Sequence, residues 1–438
     1  MKIKISLLSL LFISTSLVAQ EIITPEKAVS LALEHNYGIK VAKSNVEIAK
    51  NNASILNSGY LPTVTGNAGA SITKQDSEGE LASGETRIAN GAETRSYNAS
   101  INLNYTLFDG FGRAYNYKQL KETKDLTELQ ARETIENTIL QLFSVYYSVA
   151  EQEENTQAIQ QTLEISKERL IRAQYQFNYG QSTKLEVLNA EVDINNDSIN
   201  VMNAKQALIN FKRDLNLVLG NSLTTNFSID TKITFKELLN KEALLEKAKQ
   251  YNNSLLQLNK NIEINKLVVK SGKSAYLPSI GLTGSYGWNE STNNSPLAFT
   301  LQNTSSGVSG GLNLTWNLFD GGSTITNVKN AKINLEIQNT QKEELLITLE
   351  RDFNNAWDDY QNKLNIYRLQ ETNIETSQNN FDRTQEKFKL GQATSIEFRQ
   401  AQINLLNAEL TKNQAKYSAK LAELTLLKIS GEILNTSF

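Results

Sequence analysis

Residues 97–110 read YNASINLNYTLFDG, and residues 308–321 read VSGGLNLTWNLFDG. In both stretches, apolar or small side chains alternate with Asn, Ser, Thr and Gly until the shared Leu-Phe-Asp-Gly begins. Because successive side chains of a β-strand point to opposite faces, the alternation predicts strands at Tyr97–Leu107 and Val308–Leu318. Each strand has one apolar face, and its other face is polar without carrying a charge.

The two stretches belong to an internal duplication of the chain. The shared Leu-Phe-Asp-Gly recurs at an interval of 211 residues, and three shorter matches support the same duplication. A segment written twice in this way indicates a repeat architecture. Each copy is predicted to contain, in order, a helix, two strands, a very long helix, a glycine turn and a long return helix. The further matches are Tyr60-Leu61-Pro62 with residues 276–278, Gly180-Gln181 with Gly391-Gln392, and Gly220 with Gly431; the first strands are predicted at Thr63–Thr73 and Ser279–Asn289.

The N-terminus has the pattern of a secretory signal peptide. Lys2 and Lys4 precede an apolar run from Ile5 to Val18, and Ala19 provides a small-residue cleavage site. No later stretch approaches the ~20 apolar residues of a membrane-spanning helix. The predicted organisation is a signal peptide at 1–19, repeat 1 at 20–220, a connector at 221–233, repeat 2 at 234–431 and a tail at 432–438; strands lie at about 62–74, 96–108, 278–289 and 307–319, helical hairpins at about 111–219 and 322–430, and tips at 180 and 391.

The helices that follow the strands are predicted to be far longer than those of an ordinary globular domain. No proline lies between Phe111 and Asn178, and an uninterrupted helix of that length extends for roughly 100 Å. Residues 322–389 repeat the pattern. Apolar residues from Leu346 to Tyr367 are spaced by three and four, which predicts that one face of this second long helix is buried.

Each copy has a start signal for its opening helix. Thr24 is a suitable N-cap, and Pro25 is suited to the first helical position. In the second copy, Thr234 and Glu237 have the spacing of a capping box. Both opening helices are predicted to end ahead of the proline in the Tyr-Leu-Pro sequence, because a residue before proline disfavours helical geometry.

Composition excludes several classes of function. The 438 residues include no Cys and one His, so disulfides, thiolate sites and multi-histidine metal sites are absent. The formal charge is −3, and no basic run occurs, which gives no electrostatic reason to expect nucleic-acid binding. The sequence shows no grouping of acid, base and nucleophile side chains that is typical of an active site. We therefore predict that the chain is not an enzyme and that it needs no cofactor.

The uncharged polar faces of the strands favour a membrane barrel over a soluble sheet. A strand of ~11 residues spans a membrane when tilted, but four strands cannot close a barrel, and open edges are not tolerated in lipid. Chains must therefore pool their strands, with twelve in a trimer or eight in a dimer. Polar loops at about 75–95 and 290–306 are placed outside the cell. The alternative is a secreted coiled-coil structural or adhesive protein with a small soluble β-domain.

With both Tyr-Leu-Pro entries, both Leu-Phe-Asp-Gly exits and both glycine turns, residues 22–431 resemble a TolC-type outer-membrane efflux protein. The resemblance implies a mainly α fold in which a trimer combines a 12-stranded membrane β-barrel with a 12-helix periplasmic tunnel. It also implies location in the outer membrane of a Gram-negative bacterium. The implied function is a passive exit duct of a tripartite efflux pump or a type I secretion system. The implied partners are a periplasmic adaptor protein, an inner-membrane pump and outer-membrane lipid.

The resemblance further implies two sites on the helical hairpins. The family docks its adaptor at the glycine turns, and it narrows its tunnel just past them. One family residue that locks the closed tunnel, an Arg, matches Ala393, and another, a Tyr, matches Phe388, so the lock is partly missing here. The implied docking residues are Gly180, Gln181, Gly391 and Gln392, and the implied aperture residues are Glu186, Asn189, Glu397 and Gln400.

Overall fold

The structure, a computed structural model, describes residues 21–80, 82–221, 226–236 and 239–436. The predicted signal peptide therefore lies outside the described residues. In chain order the elements are β1 Glu21–Ile23, α1 Pro25–His35, α2 Tyr37–Asn52, β2 Thr63–Glu80, β3 Thr86–Asp109, α3 Gly112–Asn178, α4 Lys184–Leu219, β4 Phe227–Ile229, α5 Lys241–Tyr251, α6 Asn253–Lys273, β5 Ser279–Asn293, β6 Gln302–Thr315, α7 Ser323–Lys389 and α8 Ser395–Ile429.

The described residues divide into two compact units. The sheet unit lies within Ala42–Glu133 and Asn253–Thr348, and the tip unit lies within Met1–Val41, Thr134–Asn252 and Leu349–Phe438. The sheet unit contains one antiparallel sheet in the order β2-β3-β5-β6. The tip unit contains α4, α5 and α8 together with the C-terminal parts of the two 67-residue helices, α3 and α7.

The register of the sheet confirms the predicted alternation. Ile101 of β3 lies opposite Gly66 of β2 and Tyr286 of β5, and Tyr286 in turn lies opposite Val308 of β6. Residues at directly paired positions share one face of a sheet, so the four predicted apolar sets lie on the same face. That face is exposed in the single chain, where Val308 is 83% exposed. A contiguous exposed apolar surface across four strands marks an interface with lipid or protein.

The strands are longer than the predicted ~11 residues. They contain 18, 24, 15 and 14 residues in the order β2, β3, β5 and β6. The extra length of β2 and β3 is polar, and Lys74 pairs there with Glu93. Backbone pairing continues into both predicted loops, 75–95 and 290–306, whereas β6 ends at Thr315, before the predicted end at Leu318. The alternation of side chains therefore did not mark the ends of the strands.

The opening helix of each copy is broken in two, which corrects the prediction of one helix. Asn36 separates α1 from α2: its side-chain oxygen accepts from the N–H of Ile39 at 3.1 Å, and its amide donates to the carbonyl of Val218 at 2.8 Å. Asn252 separates α5 from α6 and donates likewise to Ile429 at 3.1 Å. An Asn side chain that bonds nearby backbone groups competes with the helix, so each asparagine both ends and restarts it.

The start signals were right for the first copy and wrong for the second. Thr24 caps α1, since its hydroxyl accepts from the N–H of Lys27 at 3.3 Å. Helix α5 begins at Lys241 after the cap residue Asn240, whereas Thr234 lies in non-helical chain. Glu237, the other half of the predicted capping box, lies outside the described residues.

The tip unit also contains a parallel strand pair that the sequence did not predict. The strand β4 lies in the predicted connector and pairs with β1. The hydroxyl of the fully buried Tyr146 donates to the carbonyl of Ile23 at 2.8 Å and to that of Asp230 at 3.1 Å. Tyr146 of α3 therefore binds both β1, through Ile23, and the residue that follows β4, Asp230.

Candidate functional site at the two hairpin tips

The first hairpin tip joins α3 to α4 through a glycine turn. Gly180 has a φ of 69°, a left-handed conformation that glycine adopts without steric cost. Its N–H donates to Phe177 at 2.9 Å, and the N–H of Gln181 donates to Gln176 at 2.7 Å. These two bonds form the Schellman motif, which satisfies the last carbonyls of a helix.

The second tip, between α7 and α8, repeats this geometry. Gly391 has a φ of 73°; its N–H donates to Phe388 at 3.1 Å, and the N–H of Gln392 donates to Lys387 at 2.8 Å. Both glycines and the glutamines that follow them are exposed. A methyl group added at either tip glycine would meet no described atom within 4 Å, so another backbone can approach both turns closely.

The two glutamates implied at the aperture lie in the first turn of α4 and of α8, and both are exposed. Glu186 accepts a hydrogen bond from the hydroxyl of Ser182 at 2.9 Å. Glu397 completes a capping box with Thr394: its carboxylate accepts from the Thr394 N–H at 2.8 Å, and the Thr394 hydroxyl accepts from the Glu397 N–H at 3.2 Å. The backbone N–H of Thr394, and then its hydroxyl, favour the ionised carboxylate and hold the pKa of Glu397 below its ordinary value.

Asn189 and Gln400 lie about one turn beyond the glutamates, and both are exposed. The side chain of Gln400 donates to Asn404 at 2.8 Å. Among the described residues, the side chains of Glu186, Glu397 and Gln400 bond to residues three or four positions away in the same hairpin. The residues implied at the aperture therefore occupy matching positions of the two hairpins, and these bonds do not join one hairpin to the other.

Behind the tips, a buried polar cluster joins α3, α4 and α8. Asp197, only 3% exposed, receives two hydrogen bonds of 2.8 Å from the guanidinium of Arg399 and one of 2.6 Å from the hydroxyl of Ser166. Gln402 donates to the carbonyl of Thr162 at 2.8 Å. A bidentate arginine–carboxylate pair is a strong and directional contact, and here it links the first hairpin to the second.

A second arginine–aspartate pair extends this cluster. The guanidinium of Arg169, which is buried, bonds to the carboxylate of Asp193. The Nε of Arg399 lies 3.7 Å from the same carboxylate. Two cations therefore face two anions, and their attraction offsets part of the cost of removing these charges from water.

Another arginine binds the end of α7 directly. Arg172 donates to the carbonyls of Phe388 and Lys389 at 3.3 and 2.5 Å, where the partial negative charge of a helix C-terminus favours a cation. Its guanidinium lies 5.2 Å from the centre of the Phe388 ring. That ring stacks on Phe398 at 4.8 Å. Phe388, at the position that matches the family's Tyr, therefore has its ring against Arg172 of the other hairpin.

Sequence reasoning missed both arginine contacts. One signal was available, because Arg399 matches Leu188 of the first copy, and Asp197 matches Ala408 of the second, at the interval of 211 residues. Each copy therefore has a charged residue where the other copy has an uncharged one, and the two charges are opposite. Opposite charges that stand in opposite copies are what a contact between the two hairpins requires.

Among the described residues, none of the helices combines the length and the apolar character that crossing a membrane requires.

Comparison with known proteins gave consistent matches. The sequence profile described as "Outer membrane efflux protein" matches residues 28–221 and 244–432. The outer membrane efflux protein BepC of Brucella suis is 22% identical over 409 residues, which cover 92% of this chain and 84% of that protein. The outer membrane protein TolC of Vibrio cholerae is also 22% identical, over 70% of this chain and 72% of TolC.

A similar fold occurs among solved structures. The CmeC outer membrane channel of Campylobacter jejuni superposes with a TM-score of 0.76 at 21% identity, over 93% of this chain and 86% of CmeC. The agreement extends over both repeats, since it covers almost the whole described chain.

Proposed function

Because this chain belongs to the outer membrane efflux protein family, we propose that three copies of it assemble into one continuous duct. The chain is an export channel of the Gram-negative outer membrane that extends into the periplasm, and it acts as the passive exit duct of a tripartite efflux pump or a type I secretion system. The family is one of channels rather than enzymes. Trimeric assembly, the partners and the roles of single residues are the proposed parts.

The observation that carries the proposed assembly is the exposed apolar face of the four-stranded sheet. Its side chains match the apolar interior of a membrane, and β2 and β6 form its outer edges. In lipid, the unpaired backbone groups of such edges must find partners. Pairing β2 of one copy with β6 of the next satisfies both edges, and three copies supply twelve strands.

We assign adaptor docking to the two tips. Gly180, Gln181, Gly391 and Gln392 are exposed, and the two turns have the same hydrogen-bond geometry. A periplasmic adaptor can therefore recognise both tips of each chain in the same way. We assign the supply of energy to the inner-membrane pump, because the family is one of channels.

We assign the aperture to the exposed residues just past the tips, Glu186, Asn189, Glu397 and Gln400. Three copies present six glutamates there, and such rings attract cations and repel anions. Opening the aperture requires the hairpins to move apart. Such movement is opposed by the Arg399–Asp197 pair and by the hold of Arg172 on the end of α7.

Planar-bilayer conductance of the detergent-purified protein tests the duct and the aperture together. The double variant Glu186→Gln/Glu397→Gln removes the charge, while glutamine still supports a capping box at the position of Glu397. We expect discrete steps for both proteins and a weaker cation preference for the variant. The control is Glu375→Gln, which removes an exposed charge from α7 and should leave selectivity unchanged.

The outcomes separate the parts of the proposal. Steps whose selectivity is the same in the double variant would keep the duct and refute the aperture residues. A protein that is extracted without detergent as a monomer, and that gives no steps, would refute the trimeric assembly.

A further inference from the structure

The two β-hairpins of the sheet are equivalent to each other, residue by residue. Thr63 of β2 lies opposite Asn104 of β3. Their counterparts, 216 and 211 positions later, are Ser279 of β5 and Thr315 of β6, which also lie opposite each other. These intervals are the ones that separate the two Tyr-Leu-Pro sequences and the two Leu-Phe-Asp-Gly sequences. Positions of the first β-hairpin therefore have counterparts in the second.

One join inside the chain unites the two β-hairpins. The second strand of the first β-hairpin, β3, pairs with the first strand of the second, β5, so that Tyr105 lies opposite Leu282 and Leu103 lies opposite Gly284. The edge strands of the sheet are β2 and β6. In the proposed trimer, β6 of one copy meets β2 of the next. This seam between copies again joins the second strand of one β-hairpin to the first strand of another.

We propose that the seam between copies repeats the join inside the chain, residue for residue. The proposal rests on the trimer of the proposed function and adds the register of its strands. When each residue of the β3–β5 join is replaced by its counterpart, Trp316 of one copy lies opposite Gly66 of the next, and Leu314 lies opposite Ala68. The same replacement gives two further pairs on the apolar face, Leu312 with Ala70 and Gly310 with Ile72.

The sizes of the paired side chains support this register. In all four pairs a large side chain lies opposite a small one, as Trp316 does opposite Gly66, and facing side chains of unequal size interlock well. A slip of two residues is the smallest that keeps both apolar faces on one side of the sheet, and it loses this match. A slip in one direction places Ile72 opposite Leu312, and a slip in the other places it opposite Val308.

The early end of β6 agrees with the same seam. This strand ends at Thr315, whereas its counterpart β3 continues to Asp109 and pairs with β5 over that last part. The corresponding residues of the second copy lie outside any strand. Two of them, Trp316 and Phe319, are 53% and 86% exposed. In the proposed register, β2 of the next copy provides the backbone pairing that β5 provides to β3.

The helices beside the sheet contain a similar join. Helix α6, which precedes β5, packs against α3, which follows β3. The side chain of Asn253 donates to the carbonyl of Leu129 at 3.0 Å, and the hydroxyl of Ser271 donates to the side chain of Asn116 at 2.6 Å. The residue numbers rise along one helix as they fall along the other, so the two helices are antiparallel.

The counterparts of α6 and α3 are α2 and α7. Transferring the register of the α6–α3 pair places Ile333 of α7 in one copy opposite Ile48 of α2 in the next. In the single chain these isoleucines are 53% and 58% exposed. The seam therefore removes apolar surface from water in the helices, and it continues from the membrane-facing sheet into the periplasmic part.

Disulfide crosslinking tests the strand register, because the chain contains no Cys of its own. Asn67 and Thr315 lie on the polar face, and the proposed seam places them opposite each other. Opposed Cα atoms of antiparallel strands are about 4.5–5.5 Å apart, which a disulfide can bridge. Within one chain these residues lie on the two edge strands, at least ~14 Å apart. A disulfide in Asn67→Cys/Thr315→Cys therefore joins two copies, and three disulfides close a covalent trimer.

Matched controls keep Asn67→Cys and place the second cysteine two residues away, as Asn313→Cys or Asn317→Cys. These pairs represent the two slipped registers. In the proposed register their Cα atoms are separated by at least ~7 Å, which is too far for a disulfide without backbone movement. On mild oxidation, Asn67→Cys/Thr315→Cys should form covalent trimer at least about 10-fold faster than either control.

Crosslinking with ortho-phenylene-bismaleimide tests the helical part of the seam. We expect Ile48→Cys/Ile333→Cys to form a covalent trimer. The control is Ile48→Cys/Ile325→Cys, because Ile325 is also half exposed but lies about two turns, or ~12 Å, from Ile333 along α7. Equal crosslinking of the two pairs would overturn the proposed contact between α2 and α7.

Native mass spectrometry of each reduced variant in detergent measures the assembly separately from the crosslinking. Every variant should form the same trimer as the wild type. A trimer that is crosslinked fastest through Asn313→Cys or Asn317→Cys, or through none of the three positions, would overturn the proposed register and keep the trimer. A wild-type protein that is monomeric, or that closes as a dimer, would refute the assembly in the proposed function and the seam with it.

Discussion

The variant Asp197→Ala should loosen the contact between the two hairpins. Asp197 is buried and accepts two hydrogen bonds from Arg399 and one from Ser166. The variant leaves the guanidinium of Arg399 with the carboxylate of Asp193, at 3.7 Å from Nε, as its nearest remaining charge. The cluster then contains one cation in excess.

The magnitude follows from the burial of the pair. Removing one partner of a fully buried ion pair costs about 3–5 kcal/mol. Since the Arg399 side chain is 18% exposed and keeps a second carboxylate nearby, we expect the lower end of that range. About 3 kcal/mol corresponds to a roughly 150-fold larger equilibrium constant for local opening.

Amide hydrogen exchange followed by mass spectrometry measures this opening. Peptides from α4 and α8 around the pair should exchange about two orders of magnitude faster in Asp197→Ala, and peptides from α5 should not change. The double variant Asp197→Ala/Arg399→Leu removes both charges and installs the residues of the matching positions, Ala408 and Leu188. Its loss of stability should be at least ~1 kcal/mol smaller than the sum of the losses in the two single variants. Exchange in Asp197→Ala within threefold of wild type, or strict additivity, would refute the coupling.

Three other predictions concern the tip unit. In Gly220→Ala the new methyl carbon would lie 2.4 Å from a backbone oxygen, so thermal unfolding should show a severe loss of stability; Gly180→Ala, which meets no described atom, should lose only the ~1–2 kcal/mol of a left-handed alanine. Tyr146→Phe removes the donor that two carbonyls share, so proteolysis between α4 and α5 should accelerate by roughly 5- to 30-fold, which corresponds to 1–2 kcal/mol. The pKa of Glu397 is lowered, so its charge stabilises the capping box at pH values above its ordinary pKa of 4.5, and this contribution is lost as the pH falls through the lowered value. In the variant Glu186→Gln, the cation preference of the bilayer conductance should therefore persist down to pH 4.5. A preference that disappears at a higher pH would contradict the assignment of Glu397 to the aperture.

The strand faces and hairpin tips could be predicted because their patterns are local. A period of two places Ile101 and Leu103 on one face whatever else the chain does, and the register kept those faces aligned. A glycine between two long helices likewise ends the first helix through bonds that reach back only a few residues. The resemblance then supplied the assembly, which no single pattern contains.

The features that escaped prediction depend on contacts between distant parts of the sequence. The break at Asn36 is fixed partly by the carbonyl of Val218, which lies 182 residues away. The Arg399–Asp197 pair joins residues 202 positions apart. Short-range periodicity carries no information about such pairs. A comparison of the two copies position by position identifies Arg399 and Asp197 as candidates, but other apolar residues are also matched by charged ones, such as Ile209 by Lys420 and Ile139 by Glu350.

The buried cluster differs from the glycine turns because part of it joins the two copies. Local features, such as the glycine turns, are satisfied within one copy and so could stay the same in both. A buried charge needs an opposite charge nearby, and one copy can supply both members, as Arg169 and Asp193 of the first copy do. The Arg399–Asp197 pair instead takes one charge from each copy, and the matching positions hold the uncharged Leu188 and Ala408. It follows that the contact between the hairpins can be weakened by substituting either residue without altering the hydrogen bonds that form either tip.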